Sequence, residues 1–404
     1  MDSPDQGARG IPVTKTTFEN LLIKFEITNA QIDYYGELKD NEIIGIFKQG
    51  GYEFPLKLSR KAIEKELQKR PQEPKEPFNY NSENIVFKNE IDNISLAGTF
   101  TYPKQGSSYP AVILISGSGP QDRNSEILNH KPFLLISDYL TNNGIAVLRV
   151  DDRGTAESEG NHNETGLDGF VRDTESALNY LKTRKEVDVT HIGLIGHSLG
   201  GLIAQIIASK SNNISFIVLL AGPGIPGDKL MLLQKEIIER KMGISEIELA
   251  ISQKNMKGAY DIILKSDSNK EELQTNLESY FNQVYGNMLS KNEITEISNQ
   301  LTIPWLTDFI KFNPYTTLSK TKCSVLALNG TNDLQVPAEK NLSAIEKTLK
   351  ENGNTDVKTL EIEGLNHLFQ ESESGLPNEY EKIEQTFSPK ALKIITDWIH
   401  KKTE

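Results

Sequence analysis

Hydrophobic and polar residues alternate along the start of the chain. A run ending at Phe18 is followed by segments at 21–28, 31–38, 43–48 and 52–58, punctuated by turn formers at Thr28-Asn29, Lys39-Asp40-Asn41 and Gln49-Gly50-Gly51. Leu21, Ile23, Phe25 and Ile27 fall on one side of their strand and Leu22, Lys24 and Glu26 on the other, which predicts one buried and one mostly wet face. The pattern predicts an antiparallel β-module over 1–59 with four or five strands. So small a sheet with free edges pairs with something else. We therefore expect further strands and an export signal upstream in a longer natural protein, with Met1 an artificial boundary or an internal methionine, and a homo-oligomer formed through the exposed edge. From 60 to 78 the text turns to charge and proline, with K-R-P-Q-E-P-K-E-P, which predicts an extended linker.

Past residue 79 unbroken apolar runs replace the alternation. They predict a hairpin at 84–89 and 94–102, strands at 111–116, 145–150, 191–195 and 214–220, and helices at 132–142, 167–183 and 202–209. Strands without alternation, separated by helices, form a mostly parallel sheet covered on both faces. The rhythm stops near 222 and resumes with a strand at 324–328, a helix at 338–349, a strand at 357–362 and a closing helix at 389–400. Between them, 222–321 reads as helical, with Leu230, Leu233 and Ile237 at helical spacing, a further helix at 269–285, and turn signals at Gly243 and Pro304. An insertion here is expected to sit above the carboxyl ends of the strands, where ligand sites of such sheets lie, and so to form a cap.

Composition narrows the partners. The formal charge of -12 over 404 residues, without a basic stripe, argues against nucleic acid. Cys323 is the only cysteine, which excludes intramolecular disulfides and a cysteine-rich metal site; ahead of Val325-Leu326-Ala327-Leu328 it suits a small packed residue. No apolar run approaches the roughly 18 residues needed to span a bilayer. Met1-Asp2-Ser3-Pro4-Asp5 lacks the basic-then-apolar order of a signal peptide.

The chemistry centres on Gly196-His197-Ser198-Leu199-Gly200, a G-x-S-x-G turn between a predicted strand and a predicted helix. Such an elbow places a seryl oxygen on a tight bend, and its glycines avoid collisions of Cβ with neighbouring strand and helix. Ser198 is the candidate nucleophile. A serine needs a base to take its proton and an acid to orient that base. In enzymes of this strand order the acid follows the strand after the insertion and the base follows the last strand. Asp333 and His367 fill those places. Of the six histidines, His162, His191 and His400 are poorly placed to reach Ser198, His197 should project away from its oxygen and is read as structural, and His130 is expected to fix the loop after the Gly-rich turn. Oxyanion donors are expected from the N–H of Leu199 and from Ser118 in Ser116-Gly117-Ser118-Gly119-Pro120, with Gly119 the next candidate donor and an expected lining residue of the substrate pocket. Asp151-Asp152-Arg153 is read as a structural ion pair that shapes its loop. Trp305 and Phe309 either line an acyl pocket or belong to the core. Neither metal nor cofactor is called for.

With these residues placed, the chain resembles a bacterial family of α/β-hydrolase esterases, described variously as dienelactone-hydrolase-like or serine-aminopeptidase-like. The shared marks are G-S-G-P-Q-D-R at 117–123, H-K-P-F at 130–133, V-L-R-x-D-x-R-G at 147–154, G-H-S-x-G-G at 196–201, P-W-x-x-x-F at 304–309 and N-H-L-F-Q at 366–370. F-K-Q-G-G at 47–51 looks like the end of the small β-domain that precedes the hydrolase in many members. Many relatives carry Glu where this chain has Leu199, which leaves backbone donation intact. The resemblance implies an α/β-hydrolase fold, with an eight-stranded sheet and the helical cap, over 79–404. It also implies a cofactor-independent serine hydrolase cleaving carboxylic esters of short or medium acyl groups. A peptidase or aminoacyl hydrolase, an acyl or thioester transferase, and a non-catalytic binding protein on the same scaffold are the other readings.

Overall fold

The computed structural model describes residues 12–27, 32–49, 52–60, 69–267 and 269–404. The turns read at 28–29 and 50–51, the chain before residue 12 and the first part of the linker lie outside them. Two compact units divide at Leu67 and Gln68.

The first unit is an antiparallel meander in chain order: β1 (Lys15–Glu19), β2 (Leu22–Ile27), β3 (Ile32–Lys39), β4 (Glu42–Gln49) and β5 (Tyr52–Ser59). Its register pairs Phe25 with Tyr34 across β2 and β3, and their rings stack at 5.0 Å. Tyr34 is fully buried and reaches over Gly45, where an added Cβ would come within 2.6 Å of the ring; its hydroxyl donates to the oxygen of Leu56 at 3.1 Å. The expected alternation holds for Ile23, Phe25 and Ile27, which grow more buried along the strand, but not for Leu21. That residue is 54% exposed because it sits in the β1–β2 turn, at φ +66° beside Asn20.

The second unit carries the parallel sheet. In chain order its strands are β6 (Tyr80–Asn89), β7 (Ile94–Pro103), β8 (Tyr109–Ile115), β9 (Ala146–Val150), β10 (Val187–His197), β11 (Phe216–Leu220), β12 (Ser324–Gly330) and β13 (Val357–Ile362). They lie in the order β13-β12-β11-β10-β8-β9-β7-β6, parallel from β13 to β9, with β7 antiparallel to both neighbours. Every residue of β11 is buried, as a strand packed on both faces requires. The covering helices are α1 (Pro132–Asn142), α2 (Leu167–Lys182), α3 (Leu199–Lys210), α10 (Ala338–Glu351) and α11 (Pro389–Thr403); α1 packs with α11, and α2 with α3. Pro132 starts α1 at the position where its missing N–H costs nothing.

Between β11 and β12 the chain forms α4 (Gly227–Lys241), α5 (Glu246–Lys265), α6 (Lys270–Tyr285), α7 (Lys291–Leu301), α8 (Pro304–Lys311) and α9 (Tyr315–Leu318). Ser245 with Glu248, and Ser290 with Glu293, form reciprocal capping boxes that start α5 and α7. The insertion has its own core, built on Tyr260, Ile263, Leu277 and Phe281. Among the described residues no helix is long and apolar enough to cross a membrane.

The later part of the predicted linker is strapped to the second unit. Arg70 donates to the oxygens of Ile383 and Glu381 at 2.8 Å each, and Gln72 accepts the N–H of Thr386 at 2.6 Å.

Candidate active site

The elbow forms where β10 ends and α3 begins. Ser198 sits between them at φ +53° and ψ −118°, a conformation that costs a non-glycine residue of order 1–3 kcal/mol. Its neighbours make the bend possible: a Cβ on Gly196 would come within 2.1 Å of the Gly200 oxygen, and one on Gly200 within 2.2 Å of the Ile115 oxygen. The Ser198 N–H donates to the oxygen of Leu220 at 2.8 Å, which ties the bend to β11. Leu199 is the first residue of α3, so its N–H belongs to the unpaired, positive end of a helix.

Asp333 leaves β12 and His367 leaves β13, and the structure joins them directly. Nδ1–H of His367 donates to Oδ2 of Asp333 at 2.9 Å, with both side chains almost fully buried. The other oxygen, Oδ1, accepts the N–H groups of Gln335 and Val336 at 2.8 and 2.9 Å, so the carboxylate is held as an acceptor on both sides. This arrangement leaves Nε2 of the imidazole as the basic nitrogen. Asn366 shapes the loop by accepting the N–H groups of Leu368 and Gln370 at 3.0 Å each.

His197, read as structural, has a partner that its sequence position did not reveal. Its Nε2 donates to the main-chain oxygen of His367 at 2.8 Å, and its ring lies 4.8 Å from that of His367. Burial, with the neighbouring His367 second, lowers its pKa to about 4, so it is a neutral donor near pH 7. His130, expected to fix the loop after the Gly-rich turn, is buried and bonds that loop to a distant segment: Nε2 lies 2.9 Å from the oxygen of Tyr380 and Nδ1 lies 3.2 Å from the Thr386 hydroxyl. It joins α1's approach to the segment before α11.

A cavity of about 180 Å³ opens beside the elbow. Ser118, Ser198 and Leu199 form one part of its wall; Leu230 and Met231 of α4 with Trp305, Leu306 and Phe309 of α8 form the apolar part. Trp305 and Phe309 thus both line the cavity and pack on the main core. Gly119, at φ +83° with open space around it, is not among the lining residues. No lining residue is charged.

The Asp151-Asp152-Arg153 run does form ion pairs, but not within itself. Asp151 pairs with Arg123 at 2.5 Å, and Arg153 with Asp173 and Asp92 at 2.6 Å each. Asp152 instead accepts two hydrogen bonds from the Gly-rich loop, from the Ser116 hydroxyl at 2.5 Å and from the Gln121 N–H at 2.9 Å. Its partners lie about thirty residues away in sequence, so no local pattern announces them. Among the described residues no group of three or more His, Cys, Asp or Glu is placed to hold a metal ion.

The family described as BAAT / acyl-CoA thioester hydrolase C-terminal matches residues 174–371, a stretch that holds the elbow, the insertion, Asp333 and His367. Esterase EstD of Thermotoga maritima is 30% identical over 288 residues, covering 71% of this chain and 61% of that protein. The chain therefore spans about three fifths of that relative's length. Among solved structures, the Pyrococcus furiosus esterase Pf2001 aligns at a TM-score of 0.48 with 15% identity, covering 80% of this chain and 93% of that one. Est1E from Butyrivibrio proteoclasticus with bound ferulic acid aligns at 0.44 with 17% identity, covering 78% and 96%.

Proposed function

We propose that the chain is an α/β-hydrolase esterase, as its similarity to EstD and to the matching family suggests, and that it hydrolyses carboxylic esters of short to medium, uncharged acyl groups through an acyl-enzyme on Ser198. The observation that carries this reading is the cavity wall, where the strained serine and the start of α3 face an apolar pocket supplied by the insertion. At about 180 Å³ the cavity falls below the roughly 300–1,000 Å³ of sites for drug-sized ligands, which favours a small acyl group. An ionised group on that acyl chain would be buried without a charged partner, at a cost of several kcal/mol.

The proposed steps use these groups in turn. Nε2 of His367 takes the proton as Ser198 Oγ bonds to the ester carbon, and the carbonyl electron pair moves onto oxygen. The N–H groups of Leu199 and Ser118 receive that oxyanion, and Asp333 stabilises the imidazolium that forms. As the intermediate collapses, the bond to the alcohol oxygen breaks and His367 returns the proton to it. Water, deprotonated by His367, then attacks the acyl-enzyme and releases the acid and Ser198.

The description of the matching family adds thioesters as a second class of substrate. Rates across p-nitrophenyl esters of rising acyl length, beside matched acyl thioesters and aminoacyl amides, test the reading. Turnover that peaks at short or medium esters supports it; faster amide cleavage would replace it with a peptidase.

A further inference from the structure

The middle of the Gly-rich loop from Ser116 to Gln121 has little packing of its own, with Ser118 and Pro120 both exposed. Gly119 adopts φ +83° with no atom within 4 Å of where its Cβ would be, and the loop must still present the Ser118 N–H at a fixed point. One side chain, from just past the end of β9, bonds both ends of the loop. Asp152 Oδ1 accepts the hydroxyl of Ser116 at 2.5 Å, and Oδ2 accepts the N–H of Gln121 at 2.9 Å. The Asp152 N–H donates in turn to the Gln121 oxygen at 3.0 Å. Gln121 carries the restraint inward, since its Nε2 donates to the Ser118 oxygen at 3.2 Å.

We propose that Asp152 is a positioning residue for ester hydrolysis: its two carboxylate oxygens grip both ends of the 116–121 loop and so set the Ser118 N–H where the oxyanion develops. This rests on the esterase reading of Ser198. The neighbouring acids and bases are committed elsewhere, Asp151 to Arg123 and Arg153 to Asp173 and Asp92. Asp152 is left with neutral donors alone, and shares a small cavity behind Leu199 with Asp151, Arg153, His162 and Asp173. Burial pushes its pKa up to about 7, against the pull of Ser116 and Gln121, with Asp173 and Asp151 adding to the rise. A carboxylate kept there without a cation is expensive, and the loop's two donors are what it holds in return.

The test compares the full chain with Asp152→Ala, Asp152→Asn and Ser116→Ala, using one p-nitrophenyl ester and the trifluoromethyl ketone of the same acyl group. The ketone is a stand-in for the intermediate: Ser198 Oγ bonds to its carbonyl carbon, the electron pair moves to oxygen, and His367 takes the proton. Misplacing one donor should lower kcat of Asp152→Ala about 10- to 100-fold and weaken the ketone by the same factor, with KM within about twofold. Asp152→Asn keeps an acceptor for Gln121 and a polar partner for Ser116, and should recover to within about fivefold of the parent. A folded Asp152→Ala with kcat and ketone affinity at parental levels would overturn the proposal. Should that variant not fold, Ser116→Ala decides: a joint fall in kcat and ketone affinity at constant KM supports the grip, and parental values overturn it. Absence of ester turnover in the unmodified chain would instead count against the esterase reading itself.

Discussion

His197 donates from Nε2 to the main-chain oxygen of His367 at 2.8 Å, so the residue ahead of the proposed nucleophile holds the loop of the proposed base. Its folded pKa, about 4, lies below the ordinary histidine value. The associated stability is fully present above about pH 6.5 and is lost as pH falls through about 4. Gln places an amide N–H near the same point without titrating. His197→Gln should therefore keep kcat within about fivefold and flatten the fall in Tm between pH 6.5 and 4, whereas His197→Ala should lower kcat about tenfold or more. Melting curves across pH 4–8 check this; parallel curves for the parent and His197→Gln would contradict it.

Gly200→Ala would drive a Cβ to within 2.2 Å of the Ile115 oxygen and 2.5 Å of the Ser116 oxygen, both backbone atoms. Relief requires moving the strand end that leads into the Gly-rich loop. The variant should lose about 1–3 kcal/mol of stability by denaturant titration, and its ester turnover should fall further than the folded fraction does.

Trp305 supplies part of the apolar cavity wall. Trp305→Ala should enlarge the cavity and shift the optimum of an acyl-length series toward longer chains, with lower kcat/KM on the parent's best ester by about 10-fold, since one or two lost methylene-sized contacts are worth 1–3 kcal/mol. An unchanged length profile would place the acyl group elsewhere.

How much of this could be read from the chain depended on whether the signal was local. The helix over Pro132–Asn142 was legible to the residue because proline marks its start and Asn143-Gly144 its end. The elbow helix was read from 202, three residues late, because Gly200 and Gly201 interrupt the apolar period just where close approach to β8 demands glycine. Asp333 and His367 were found from strand order alone, and the structure bonds them together. Partners distant in sequence were not legible: Arg70 with Ile383, His197 with His367, and Asp152 with Ser116 all meet only once the sheet is assembled. Leu21 misled because alternation continues through a turn that the pattern cannot see.

Asp152 also sets a pH dependence of stability. An acid whose folded pKa is raised to about 7 contributes stability that is complete below about pH 4 and is lost as pH rises through 7. Each pH unit of such a raise corresponds to about 1.4 kcal/mol, so Asp152→Asn should gain up to a few kcal/mol relative to the parent between pH 4 and pH 8. Denaturant titrations at pH 4, 6 and 8 check the trend; a constant difference would contradict it.

Every step of the proposed hydrolysis passes through a covalent bond from Ser198 Oγ to the acyl carbon. Treating the folded chain with a fluorophosphonate and mapping the adduct by peptide mass tests it most directly, with Ser198→Ala and His367→Ala alongside. One adduct is expected, on Ser198, formed quickly in the parent, at least about 10³-fold more slowly without His367, and not at all in Ser198→Ala at unchanged Tm. An adduct on another residue, or none on Ser198 in folded protein, would contradict it.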